Sequence, residues 1–247
     1  MGNNEIYNYL CKKFENLNEE DKKSLLVYKS ALSYHINEIS TISNIENKNA
    51  IQIFNELNNS NEFEQKFLDY KNILEQPENT FIKYSIFNCV SFDDILLFIE
   101  SIRKIYFRII SISNKTLLPD KCKLYRGFSY DKNMSFLSKG NIISTSLNLD
   151  NVEDFLFYDL NNVLYELNVD KNVNALVIPY SIKRVQIGDK IILKLNKEDS
   201  QQEIILFKSK LFFDLKNVKN FENDNLKVEK YNVFLKNEKN NQYNVKK

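Results

Sequence analysis

Apolar residues recur at helical spacing through roughly the first 115 positions. Ile6, Tyr9, Leu10, Phe14 and Leu17 mark one face over 5–17. Leu25, Tyr28, Leu32 and Ile36 fall at i, i+3, i+7 and i+11, which predicts an amphipathic helix over 25–37 with Asn18 placed to cap it. Further helices are expected over 47–58 and 61–74, the second stopped at Gln76-Pro77, with a short extended piece near 81–90. Ser91, with Asp94 three residues on, is the expected N-cap of a long helix over 92–112. Its apolar residues lie on most sides, as in a core helix. A linker over 114–120 contains Pro119, and beyond it the period falls from 3.6 toward 2. Strands are expected over 123–128, 142–147, 163–169, 175–179, 190–195, 203–207, 211–215 and 227–235, with a short helix over 151–158 capped by Asn151. The fold class is therefore α+β, helix-rich first and strand-rich second.

Composition sharpens this picture. Past Gly2, glycine occurs only at 127, 140 and 188, so the turns that need it lie in the second half. A chain of 247 residues with 43% hydrophobic content can bury a sizeable core. Its net charge of +1 argues against a nucleic-acid partner held by a global basic field. Three scattered cysteines, Cys11, Cys89 and Cys122, form neither a disulfide framework nor a zinc site, and buried reduced thiols are expected. No apolar run is long enough to span a membrane, and no secretory signal is visible. The opening Met1-Gly2 carries Ile6 where a myristoylation site needs Ser or Thr. Residues 237–247 are polar and lysine-rich, and are expected to form a disordered tail.

Absent motifs exclude several chemistries. There is no GxGxxG and no GxxxxGK to cradle a nucleotide phosphate. A single histidine, His35, leaves no material for a His-rich metal site or a Ser-His-Asp triad, and no metal is expected. What remains is an arginine on one strand (Arg126), hydroxyls on a second (Ser144, Thr145 and Ser146) and an acid opening a third (Glu203). Arg126 offers a planar fork of donors suited to phosphate. Gly127 would let a ligand approach the backbone. A serine hydroxyl can orient a carboxylate, and a fixed carboxylate stabilises a sugar oxocarbenium ion. Each feature alone is equally a surface arginine, a polar strand end or a solvent-facing glutamate.

Taken in order, these residues resemble the Arg–Ser–Glu class of mono-ADP-ribosyltransferases, which includes bacterial toxins and vertebrate surface enzymes. Leu124-Tyr125-Arg126-Gly127 after Leu118-Pro119 looks like that family's proline-to-arginine strand. Ile143-Ser144-Thr145-Ser146-Leu147 after Gly140 resembles its Ser-Thr-Ser strand, and Gln201-Gln202-Glu203-Ile204-Ile205-Leu206 its (Glu or Gln)-x-Glu motif. Residues 28–37 look like its helix of spaced tyrosines ending in Ile-Asn. The resemblance covers about 25–235. It implies an N-terminal helical part packed on a strand-rich two-sheet ADP-ribosyltransferase core, with NAD as substrate in a cleft between them. The implied boundaries are an N-terminal helical extension over 1–20 and a transferase domain over 21–236, with helices over 21–115 and the strand-rich core over 120–236.

The resemblance also implies roles. Arg126 would bind the phosphate and nicotinamide-ribose part of NAD, and the Gly127 backbone the nicotinamide amide. Ser144 would orient Glu203. Glu203 would bind the ribose 2′-hydroxyl and stabilise the oxocarbenium ion. Thr145 and Ser146 complete the cofactor-facing strand, and Phe155 is the first choice for the ring packing on nicotinamide, ahead of Phe157 and Tyr158. Tyr28 or Tyr34 would touch the adenosine half. Gln201, two before Glu203, goes in this family with amide acceptors, so an asparagine or glutamine of a protein substrate is expected, on a GTPase or another host protein. The stretch from Ala175 to Glu203 is longer than the family's, so an inserted strand or loop is expected there, and Glu198 or Asp199 could stand in as an acid near the acceptor. The implied setting is a toxin or effector working in a cytoplasm, including a host's after delivery. Alternatives are an NAD glycohydrolase, an arginine-specific transferase and a non-catalytic helical interaction protein.

Overall fold

A computed structural model describes residues 1–30, 32–57, 59–79, 88–130, 140–153, 156, 161–196, 202–221 and 226–236. Along the chain the helices are α1 (Asn3–Glu15), α2 (Glu19–Lys29), α3 (Ser33–Ile39), α4 (Ala50–Glu56), α5 (Ser60–Glu75), α6 (Ile95–Ser113) and the single turn α7 (Asp150–Glu153). The strands are β1 (Cys122–Tyr130), β2 (Ile142–Ser146), β3 (Asn161–Val169), β4 (Ala175–Val177), β5 (Ser181–Ile187), β6 (Lys190–Asn196), β7 (Glu203–Phe207), β8 (Leu211–Phe221) and β9 (Leu226–Leu235). The chain is α+β, and it divides into two compact units. One comprises Met1–Glu15, Ser113–Val177 and Ser200–Lys247; the other comprises Asn16–Ile112 and Ile178–Asp199.

In the second, helical unit, the helix expected over 25–37 is two helices. Ser30 ends α2: its hydroxyl donates to Val27 O and accepts from Leu32 N, competing with the helical ladder. The apolar stripe survives the break, since Leu25, Tyr28, Leu32 and Ile36 are all buried. Asn18 caps α2 by accepting from Asp21 N at 2.8 Å. The long helix starts later than expected, because Asp94 is its cap rather than Ser91. Asp94 Oδ1 accepts from Leu96 N and Leu97 N at 2.8 and 2.9 Å, while the Ser91 hydroxyl donates to Asp93. The unit's centre is aromatic. The His35 ring meets Phe63 and Phe98 edge-on, with centroids 4.7 and 4.9 Å away. His35 is a core histidine at 1% exposure. Its Nε2 lies 3.3 Å from Phe63 O, so Nε2 carries the proton.

β5 and β6 form a hairpin within this unit, in the stretch between Ala175 and Glu203. The pattern of the sequence left out β5, whose residues Lys183, Arg184, Gln186 and Ile187 are exposed on both faces. The fully buried Asn79 holds the hairpin. Its Nδ2 donates to Ile73 O at 2.8 Å and Ile191 O at 2.6 Å, and its Oδ1 accepts from Leu193 N at 2.9 Å.

The strand-rich unit is built on a seven-stranded sheet in the order β4-β7-β2-β1-β3-β9-β8. Every pairing in it is antiparallel except β3 with β9. Period-2 alternation assigns its faces. Leu124, Ile143, Tyr165, Leu167, Ile204 and Leu206 form one core with Ile6 and Leu10 of α1. The first fifteen residues thus belong to the strand-rich unit. The 114–120 linker is bound rather than loose: Leu118 N donates to Val173 O, and Ala175 N to Thr116 O. Of the thiols expected to be buried, Cys122 is, and burial pushes it up to about 12; Cys89 is exposed and Cys11 intermediate. Asn151 lies inside α7 rather than at its start, and ahead of the helix Asn148 Oδ1 accepts from Asp150 N at 3.1 Å. The extended piece near 81–90, most of the 151–158 helix and the 237–247 tail lie largely or wholly outside the described residues.

Candidate active site

The sheet order places β2 between β1 and β7, so the three strands singled out from the sequence are adjacent. Ser146 stands opposite Glu203, and Ser144 opposite Ile205. Those residues therefore share one sheet face. β1 meets β2 at a single paired position, Tyr125 with Ser146. Arg126 follows that contact immediately, and its Nη1 donates to Ser144 O at 2.6 Å. The Ser144 hydroxyl donates to Glu203 Oε1. Arginine, serine and glutamate are thus joined in one chain of contacts through β2. Glu203 is 9% exposed, so its charge acts in a medium that screens it less than water does.

The remaining predicted positions divide. Thr145 and Ser146 are buried and serve the backbone: Thr145 Oγ1 donates to Ile204 O at 2.7 Å, and Ser146 Oγ accepts from Asn148 N at 3.0 Å. Gly140 enters β2 with φ 58°, in the left-handed region where glycine is not penalised. At Gly127 the close approach is made by the chain itself. A Cβ there would meet Val152 Cγ1 and Val152 O at 2.8 Å and Leu156 Cδ2 at 3.1 Å. Gly127→Ala must displace the backbone of α7, and is expected to cost about 1–3 kcal/mol in urea unfolding. Gln201, Phe155, Phe157, Tyr158, Glu198 and Asp199 lie outside the described residues.

Three features of the site were not singled out from the sequence. Gln202, next to Glu203, adopts φ 46°, a left-handed conformation uncommon for a residue with a side chain. Its carbonyl accepts from Leu147 N at 3.4 Å, and its side chain donates to Asn4 Oδ1 at 3.3 Å. Asn3 Nδ2 donates to Leu147 O at 3.2 Å, so the first turn of α1 holds the ends of β2 and β7 together. The third feature is Lys208, directly after β7. Burial, and then the nearby Arg126 guanidinium, lower its ammonium to about 8. A cation closing an apolar strand was the available signal.

No family model and no curated protein sequence matches the chain. Solved structures do. The crystal structure of C3stau2 from S. aureus with NAD is 14% identical, with 95% of each chain covered and a TM-score of 0.51. The Clostridium limosum C3 exoenzyme is also 14% identical over 95% of each chain, with a TM-score of 0.50. The chain has the ADP-ribosyltransferase fold. Within the ADP-ribosyltransferase fold of this chain, Arg126, Ser144 and Glu203 lie on three neighbouring strands of one sheet.

Proposed function

We propose that this chain transfers ADP-ribose from NAD to a protein side chain. The observation that carries the reading is the hydrogen-bonded sequence Arg126–Ser144–Glu203. Its chemistry fits NAD, which has an anionic diphosphate and a cationic nicotinamide ring: a guanidinium suits the first and a carboxylate the second. Arg126 binds the diphosphate side. Glu203, held by the Ser144 hydroxyl, accepts from the nicotinamide-ribose 2′-hydroxyl and faces the positive charge that develops as the glycosidic bond breaks. The bond's electron pair leaves with the nicotinamide ring nitrogen, neutralising it. The acceptor nitrogen then bonds to the ribose carbon and loses a proton. Thr145 and Ser146 support the site by fixing the strand and turn around it, and Phe155 packs on nicotinamide.

The acceptor in this reading is an asparagine or glutamine, because Gln201 offers an amide rather than a base. Its carrier is a GTPase or another protein of a host cytoplasm. Among the described residues no helix is long and apolar enough to cross a membrane. Incubation with NAD labelled in the adenosine half tests the transfer step. Labelled protein is expected in a susceptible lysate, with the label on an amide side chain by mass spectrometry. Free ADP-ribose without labelled protein would make the chain a glycohydrolase instead.

A further inference from the structure

Glu203 is the first residue of β7, so the place of its carboxylate depends on how the chain enters that strand. The entry is made by Gln202 at φ 46°, a conformation that disfavours a residue with a side chain and that glycine adopts freely. Such a conformation persists where surrounding contacts hold it. Two hydrogen bonds do so here. The Gln202 carbonyl accepts from Leu147 N at 3.4 Å, one step past the pairing of Ser146 with Glu203. The Gln202 side-chain amide donates to Asn4 Oδ1 at 3.3 Å, in the first turn of α1. We propose that Gln202 is a positioning residue for Glu203: clasped to Asn4, it sets the angle at which β7 begins and so holds the Glu203 carboxylate against the Ser144 hydroxyl. The proposal rests on the NAD reading of the site.

Three observations support it. α1 can act as a fixed anchor, since Ile6 and Leu10 pack into the same core as Ile204 and Leu206. It also grips the facing strand, because Asn3 Nδ2 donates to Leu147 O at 3.2 Å, so one helical turn meets both chains where the Glu203 end of the β2–β7 pair closes. The rest of β7 is fixed by other means. Ile204, Ile205 and Leu206 are fully buried, and past the far end of the strand Lys208 N and Ser209 N donate to Asn141 O and Asn141 Oδ1, both at 2.7 Å. Gln202, half-buried and outside the strand, is the neighbour through which the position of Glu203 is set. Glycine would take the same φ without penalty, but it carries no amide to reach Asn4.

Gln202→Gly separates the backbone from the side chain. The variant keeps the φ that the turn needs, so its thermal melt should stay within a few degrees of the wild type. With the amide gone, kcat for NAD cleavage should fall about tenfold while KM stays within about twofold. Asn4→Leu should give the same loss of kcat, and the double variant no more than either change alone, because both remove one contact. Asn4→Asp keeps an acceptor oxygen for the Gln202 amide and should keep wild-type kcat. Wild-type kcat in Gln202→Gly, or losses that add in the double variant, overturns the proposal while leaving Glu203 in the mechanism. Absence of NAD cleavage by the wild type overturns both the proposal and the NAD reading.

Discussion

Glu203→Gln is expected to lower kcat for NAD cleavage by about a thousandfold, or about 4 kcal/mol of transition-state stabilisation. The change replaces one oxygen of a carboxylate by NH2 and removes the negative charge. An amide oxygen can still accept from the Ser144 hydroxyl, the contact that positions Glu203. The β2–β7 pairing is made by backbone groups, so the variant should melt within a few degrees of the wild type. KM for NAD should change far less than kcat, because the charge is needed chiefly when the nicotinamide bond is breaking. Single-turnover cleavage of labelled NAD, alongside a thermal melt, reads both quantities. Unchanged turnover in a folded Glu203→Gln protein would remove Glu203 from the mechanism.

Acidification is expected to destabilise the fold through His35. Burial lowers this imidazole from 6.5 to about 4, outweighing the hydrogen bond to Phe63 O; the nearby Lys66 lowers it further. The neutral form is therefore the one that the folded state holds, and the unfolded chain takes up the proton first. Its contribution to stability is fully present above pH 6.5 and is lost as the pH falls toward 4. The full loss is about 3 kcal/mol, from about 1.4 kcal/mol for each unit of displacement. Carboxylates titrate in the lower part of the same range, so the comparison must be with a variant. Urea unfolding of the wild type and His35→Leu between pH 7 and pH 4 should give curves whose separation shifts by about that amount. Parallel curves would mean that the ring is solvated in the folded chain.

The change from helix to strand near residue 115 was legible because apolar spacing reports burial, and burial here follows secondary structure closely. β1, β2 and β7 each bury residues in a regular sheet, and their pattern showed it. β5 did not, since charged and polar side chains on both faces erase a period of 2. Its place is fixed by β6 and by Asn79, more than a hundred residues away in sequence. The split between α2 and α3 depends on which way the Ser30 hydroxyl turns, and hydrophobic spacing carries no information about that. For the site, the sequence could name Arg126, Ser144 and Glu203 through their family resemblance. That Ser144 joins the other two depends on β2 lying between β1 and β7. The crowding of the Cβ position of Gly127 by Val152 is likewise a property of the folded chain that spacing along the sequence does not carry.

Ile6 and Leu10 share a hydrophobic core with Leu206, Leu211 and Val233. A ribosome making this chain therefore releases the first helix more than two hundred residues before the last of its packing partners. The segment 16–112 can gather its aromatic centre much earlier. The sheet is complete only after the parallel match of β3 with β9, which spans Asn162 with Leu226 through Val169 with Val233. During that interval the apolar stripe of α1 is exposed on a nascent chain, a natural client for a chaperone that binds short hydrophobic segments. The carboxylate and the arginine can be brought together only once β7 has been made, so a chain stopped before β7 carries no assembled site.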